Sequence, residues 1–285
     1  MGNYTRGYYH SSTPEWRNRF QKTGAYVGIE LELEVNNGYR ALLNRLPNFR
    51  NGRSPLTEED GSLSDRAGIE LVFPPVQLKN VLRKGSVFSQ SLDTIDEVGT
   101  SNHERVGMHM NVNTSGWTFL KRTMFVLVVH HMERAQLERL GGRELNTYCA
   151  QFIGSNIYDL DDLDYFYAEV TDAHSYAAEV KNNRIELRFP ASTTDKTRIK
   201  YLLSFIQHLS TYSGTITDAD CYDLPEITKG FLKHLYKTKS GKQLLAYMNG
   251  ESKQNDSTNP TAAPATSVQR MSSTTTSTSG IRISI

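Results

Sequence analysis

The chain has 285 residues, 38% of them hydrophobic, so it can bury a full core and form one large domain or two small ones. Its 32 basic and 31 acidic residues nearly cancel, so no overall field points to nucleic acid, an anionic membrane or an acidic partner. The longest apolar run, MFVLVVHHM, is too short to span a bilayer, and no N-terminal signal pattern precedes it, which predicts a cytoplasmic protein.

Composition divides the chain into three regions. Residues 1–24 mix aromatic residues with turn formers and are predicted to be a lead-in that either docks on the domain or is mobile. Residues 25–250 carry strand and helix patterns and are predicted to form a single domain. Residues 251–285 are rich in Ser, Thr, Asn and Pro, and this tail is predicted to be disordered because it cannot repay the entropy of ordering.

Alternating segments separated by turn formers predict four strands. These are YVGIELELEV (26–35), GIELVFPP (68–75), VGMHMNVN (106–113) and RIELRF (184–189). The stretch TEEDGSLSD between the first two favours a turn and places Asp60 at a strand edge or a loop tip.

Helical patterns follow the second, third and fourth strands. One long helix is predicted from Trp117 to Leu140, ending at Gly141–Gly142, and a second from Asp195 to Tyr212. One or two more are predicted between Glu226 and Met248, and a short helix or irregular segment between Leu78 and Glu97. Strands and helices mix without βαβ regularity, which predicts an α+β fold with a mainly antiparallel sheet.

The first strand carries three glutamates at alternate positions, Glu30, Glu32 and Glu34. Successive side chains of a strand point to opposite faces, so the glutamates share one face and the apolar residues share the other. Neighbouring carboxylates then lie ~6.5 to 7 Å apart and repel each other where the face is poorly solvated. The face is therefore either a solvated sheet surface or part of a site that holds positive charge.

The other three strands also place polar side chains on one face. These side chains are Glu70 in the second strand, His109, Asn111 and Asn113 in the third, and Arg184, Glu186 and Arg188 in the fourth. If the four strands are neighbours, one face gathers at least four carboxylates, an imidazole and two guanidinium groups.

This set of side chains suits nucleotide-dependent phosphoryl chemistry. Carboxylates and water are the ligands of Mg²⁺, which usually also binds substrate phosphates, and a histidine admits Mn²⁺. Arginine binds phosphate through parallel hydrogen bonds and stabilises charge during phosphoryl transfer. The chain has no P-loop and no G-x-G-x-x-G motif, so a glutamate-rich sheet would have to hold the metal.

Six short motifs follow one another along the chain: GIELE (28–32), DGS (60–62), GIEL (68–71), GMHMN (107–111), GRELNTYC (142–149) and RIELRF (184–189). In the order of these motifs, the chain resembles the amidoligase family, carboxylate–amine ligases related to glutamine synthetase and γ-glutamate–cysteine ligase. The motifs extend over well more than half of the chain. The resemblance implies a fold like the glutamine synthetase catalytic domain, with a curved antiparallel sheet as the floor of the site and helices packed on one side.

The resemblance also implies roles for single residues. Two or so Mg²⁺ ions that bridge the phosphates of ATP would be held by Glu30, Glu32, Glu70, His109 and Glu186. Arg188 would stabilise the transferred phosphoryl group, and Arg143 or Arg184 would be a second phosphate contact. Asp60 would help to bind the metal or the amine. The reaction would join a carboxylate to an amine of a small molecule, peptide or protein through an acyl phosphate.

Two departures from the family pattern keep other functions open. Asn111 stands where the family usually has a second histidine, and Phe73 stands where a serine is common. Both favour a non-catalytic binding protein that keeps the fold. A metal-dependent nuclease or phosphohydrolase would also use clustered carboxylates. The basic residues are scattered, however, which predicts no nucleic-acid partner.

Overall fold

The computed structural model describes residues 5–6, 25–36, 39–46, 55–58, 63, 68–100, 106–152, 160–217 and 224–251. The described strands are β1 (Thr5–Arg6), β2 (Tyr26–Glu34), β3 (Leu56–Glu58), β4 (Gly68–Gln77), β5 (Met108–Asn113), β6 (Ala178–Lys181) and β7 (Arg184–Leu187). The described α-helices are α1 (Tyr39–Arg45), α2 (Val87–Val98), α3 (Phe119–His131), α4 (Arg134–Gly141), α5 (Leu160–Glu169), α6 (Lys196–Ser213), α7 (Leu224–Leu235) and α8 (Lys239–Asn249). All of these elements lie in one compact unit, Met1–Ser252.

The described strands form a single sheet in the order β1-β3-β4-β2-β5-β7-β6. In this order, each of the six strands after β1 pairs antiparallel with its neighbours among the six. Strand β1, at the edge, pairs parallel with β3. The prediction of an α+β fold with a mainly antiparallel sheet is therefore confirmed. The finer prediction, a likeness to the glutamine synthetase catalytic domain, stays a prediction.

One face of the sheet is apolar and builds the core. Ile29 and Leu31 of β2 lie opposite Met110 and Met108 of β5, and all four side chains are buried. They belong to the same hydrophobic cluster as buried residues of α3, α6 and α8. Because alternate side chains of each strand enter this core, the polar set between them must lie on the opposite face.

The prediction of one helix from Trp117 to Leu140 is wrong, because the chain breaks into α3 and α4 at Met132. Met132 has extended backbone angles, φ −64° and ψ 154°. The Gln151 side-chain amide donates to the carbonyls of Val129, His130 and Met132 at 3.3, 3.1 and 2.9 Å. The last carbonyls of a helix have no partner within the helix, and Gln151 supplies one from outside it.

The later helices agree with the predictions. Helix α6 begins directly after Asp195, whose carboxylate caps it by accepting the Thr197 N–H at 2.8 Å. One or two helices were predicted between Glu226 and Met248, and the structure has two there, α7 and α8. The short helix predicted before Glu97 is α2, with Ser86 as its cap.

Several elements were not predicted, namely α1, α5, β1, β3 and β6. Apart from Thr5–Arg6, the predicted lead-in lies outside the described residues, and so does the predicted tail after Glu251. No helix in the described part of the chain is both long and apolar enough to cross a membrane. The cytoplasmic location stays a prediction.

Candidate functional site

Sheet pairing brings the predicted polar side chains onto one face. Glu30 of β2 lies opposite His109 of β5, and Glu32 lies opposite Glu70 of β4. Strand β7, on the other side of β5, contributes Glu186. The alternation of side chains within each strand puts these residues on the same face of the sheet. The order of the strands then brings residues from separate motifs close together.

Most of the side chains of this polar face are buried. The exposed fractions are 8% for Glu32, 6% for Glu70, 8% for His109 and 5% for Glu186. Buried carboxylates need hydrogen bonds or opposite charges to replace the water that they lose. The interpretation of the glutamate face as a solvated sheet surface is therefore wrong for these residues. The other interpretation, a site that holds positive charge near the glutamates, is the one that agrees with their burial.

Glu30, His109 and Glu186 form a cluster that could hold a metal ion. One donor atom from each lies within 4.8 Å of the other two. His109 Nδ1 is 3.4 Å from Glu30 Oε2 and 3.7 Å from Glu186 Oε1, while its Nε2 is 3.4 Å from Glu32 Oε1. Two carboxylates with one imidazole are a donor set that suits Mn²⁺ and Mg²⁺, so the residues fit a divalent cation.

The neighbouring carboxylates change the pKa of the His109 imidazole. Burial lowers the pKa of His109, as does the charge of Arg188. The hydrogen bond to Glu30 and the charges of Glu186 and Glu32 outweigh both effects, so the pKa of His109 is raised above its ordinary value. The raised pKa favours the protonated imidazole, so a metal ion that binds here would have to displace the proton of His109.

Neighbouring groups fix the orientation of two of the carboxylates. Asn111 Nδ2 donates to Glu30 Oε1 at 3.0 Å, and Arg184 Nε donates to Asn111 Oδ1 at 2.7 Å. The Gly107 N–H donates to Glu32 Oε2 at 2.5 Å. Hydrogen bonds of this kind set the direction of metal-binding side chains. Asn111, one of the two departures from the family pattern, thus has a defined function in orienting Glu30.

Arg188 lies directly beside the cluster. Its Nη1 donates to Glu186 Oε1 at 2.6 Å, and its Nε is 3.7 Å from Glu179 Oε1. Burial lowers the pKa of Arg188, but the charges of Glu186 and Glu179 outweigh that effect and raise it. A permanently charged guanidinium therefore adjoins the candidate metal ligands.

Arg143 contacts the backbone around the cluster. Its Nε donates to the Phe189 carbonyl at 3.2 Å, its Nη1 to the Val106 carbonyl at 3.5 Å and its Nη2 to the Arg188 carbonyl at 2.5 Å. Arg143 therefore ties the segment before β5 to the segment after β7. The predicted phosphate contacts of Arg143 and Arg184 stay predictions. Asp60, which was predicted to help bind the metal or the amine, lies outside the described residues.

Two charged residues of β6 were not predicted. Glu179 is fully buried and lies opposite Glu186, and Lys181 Nζ is 2.9 Å from Glu179 Oε2. The signal was present as the alternation of AEVK, in which Glu179 and Lys181 share one face. A run of four residues is too short for alternation alone to identify a strand.

A scan against protein-family models finds no match for the chain, and no curated protein matches it. The resemblance to amidoligases accordingly rests on the order of the motifs.

Proposed function

We propose that the protein is an ATP-dependent carboxylate–amine ligase that forms an amide or isopeptide bond. The observation that carries the proposal is the cluster of Glu30, His109 and Glu186 with Arg188 bonded to it. These residues come from three separate motifs of the resemblance and meet on one buried sheet face. Such a combination of carboxylates, imidazole and guanidinium suits phosphoryl transfer, which depends on positioning and charge stabilisation.

Glu30, His109 and Glu186 would hold a divalent cation, Mg²⁺ or Mn²⁺, and Glu32 and Glu70 lie beside them for a second one. The bound cation would neutralise charge on the phosphates of ATP. Asn111 keeps Glu30 directed at the cluster, and the Gly107 N–H does the same for Glu32.

In the proposed reaction, a substrate carboxylate oxygen attacks the γ-phosphorus of ATP, and ADP leaves. The amine then attacks the carbonyl carbon of the acyl phosphate, loses a proton and displaces inorganic phosphate. Arg188 would stabilise the negative charge of the transferred phosphoryl group. Arg143 holds the backbone of Arg188, and Arg184 acts on Glu30 through Asn111. No protein nucleophile is needed.

One observation favours a non-catalytic binding protein as the second candidate. Glu186, a candidate metal ligand, already has a positive partner in Arg188 at 2.6 Å. Glu179 is likewise paired with Lys181 at 2.9 Å. A polar face balanced by its own cations would need no metal. Nucleotide binding that does not depend on Mg²⁺ would match this candidate.

The test is calorimetric titration of a non-hydrolysable ATP analogue with and without Mg²⁺, using the wild type and Glu30→Gln/Glu186→Gln. We expect Mg²⁺-dependent binding in the wild type and none in the double variant, because the variant loses two carboxylate ligands. Glu97→Gln/Glu133→Gln is the matched control, since both residues are exposed. Absence of wild-type binding under both conditions would sink the proposal.

Turnover distinguishes a ligase from a hydrolase that uses the same cluster. ADP release from ATP is measured with pooled amino acids as carboxylates and hydroxylamine as the amine. We expect release to need both additions. Cleavage of a generic phosphodiester such as bis(nitrophenyl) phosphate without ATP would instead identify a metal-dependent phosphohydrolase.

A further inference from the structure

A fully buried carboxylate lies next to Arg188 on the side away from the candidate metal ligands. Glu179 of β6 lies opposite Glu186 in the strand pairing. Its Oε1 is 3.7 Å from Arg188 Nε and accepts the Tyr176 N–H at 3.2 Å. Its Oε2 is 2.9 Å from Lys181 Nζ. Oε1 therefore accepts a hydrogen bond, and Oε2 is held by the charge of Lys181 without a hydrogen bond.

Arg188 is held between two carboxylates. Its Nη1 contacts Glu186 and its Nε faces Glu179, so different nitrogens of the guanidinium meet different acids. Its backbone is fixed as well, because its N–H donates to the Ala177 carbonyl at 2.9 Å and its carbonyl accepts from Arg143. One contact would leave the planar group free to turn about it. The second contact is an ion pair at 3.7 Å, too long for a hydrogen bond, and the charge of Glu179 draws the Nε edge of the group to its side.

We infer that Glu179 is a positioning residue, which holds the Arg188 guanidinium at the cluster, and that Lys181 anchors the other oxygen of Glu179. The effect of Glu179 on the rate of the reaction rests on the proposed function. Its effect on the orientation of the Arg188 guanidinium can be measured whatever the function. Positioning matters for the rate because a displacement of about 1 Å at a reacting group can cost about 100-fold.

The central variant is Glu179→Gln, which keeps the size of the side chain and an oxygen for the Tyr176 N–H but removes the charge. It leaves Lys181 and Arg188 buried with less opposing charge, which destabilises the fold. Glu179→Gln/Lys181→Gln removes the unbalanced ammonium and restores the balance of charge. Glu97→Gln is the matched control on an exposed site of α2.

The first readout is the NMR signal of the arginine side-chain Nε–H groups, with that of Arg188 assigned by its loss in Arg188→Lys. We expect Glu179→Gln and the double variant to shift this signal and to speed rotation of the guanidinium. Glu97→Gln is expected to leave it unchanged. An identical Arg188 signal in the wild type and in Glu179→Gln overturns the inference, whatever the function.

The second readout is ADP release with pooled amino acids and hydroxylamine. We expect kcat to fall about 10- to 100-fold in both Glu179 variants, with the KM for ATP close to the wild-type value. Recovery of kcat in the double variant together with its stability would mean that Glu179 only supports the fold, and would overturn the inference. A wild type that binds no nucleotide overturns the proposed function, and the NMR signal still decides whether Glu179 holds Arg188.

Discussion

His130 is a single side chain whose charge state is fixed by where it lies. Its Nδ1 accepts the Phe152 N–H at 2.9 Å, so its Nε2 carries the proton and donates to the Ala178 carbonyl at 2.9 Å. Burial lowers the pKa of His130 to about 4. The native state therefore holds this residue neutral at pH values where an unfolded chain would protonate it.

We expect His130 to make unfolding easier in mild acid. As the pH falls from about 6.5 to about 4, His130 becomes protonated in the unfolded chain but stays neutral in the native chain. This difference in proton binding lowers the free energy of unfolding by up to about 3 kcal/mol. The check is urea unfolding of the wild type and His130→Gln across this range. The difference between the two should shrink toward low pH, and an NMR titration of His130 near pH 6.5 would contradict the prediction.

At the same scale, alternation predicted which side chains share a face but not which atoms meet. Glu30, Glu32, His109 and Glu186 were placed together because period two is a property of any strand. The contact between Arg188 and Glu179 was not predicted, because Glu179 lies on a strand too short to be identified. The hydrogen bond from Asn111 to Glu30 depends on the pairing register, which a single sequence does not contain.

At the scale of elements, Gly141 at the end of α4 sets the distance between that helix and the segment that carries Arg188. A Cβ at Gly141 would lie 2.7 Å from the Phe189 carbonyl oxygen and 2.8 Å from Phe189 Cδ2. Gly141 also accepts the Ala191 N–H at 2.9 Å. The helix therefore lies against the backbone that follows β7.

We expect Gly141→Ala to lower the free energy of unfolding by about 1 to 3 kcal/mol, because backbone rather than a flexible side chain must move. It should also weaken the Mg²⁺-dependent nucleotide binding that we propose, since Phe189 is next to Arg188. Urea unfolding and calorimetry measure the two effects. Gly214→Ala is the control, because its Cβ would make ordinary contacts of 3.5 Å. Equal results for the two variants would contradict the prediction.

The break between α3 and α4 shows why helix ends are hard to predict at this scale. The apolar pattern continues through Met132, so periodicity extends the helix past it. The residue that favours the break is Gln151, which binds the carbonyls at the end of α3 from a segment beyond α4. A local pattern holds no information about a partner that folding brings from elsewhere.

For the whole molecule, the order of the strands decides what the polar face can do. Strand β5 lies between β2 and β7, so His109 has glutamates on both sides. Alternation predicts this face from the sequence, whereas the neighbours of each strand follow from the packing of the complete sheet. The polar face carries Glu30, Glu32, Glu70, Glu179 and Glu186 against Arg184, Arg188, Lys181 and the imidazole of His109, and a cation bound there would lower the remaining repulsion.

A cation that binds this face should therefore stabilise the complete fold. A ligand at 100 times its Kd stabilises a native state by about 2.7 kcal/mol, which raises the Tm of a domain of this size by roughly 5 to 10 °C. Differential scanning calorimetry with increasing MnCl₂ measures the shift. We expect it in the wild type and in Glu97→Gln, and not in Glu30→Gln/Glu186→Gln, since the ion binds only where its ligands are assembled. The same shift in all three proteins would mean that Mn²⁺ binds outside the cluster.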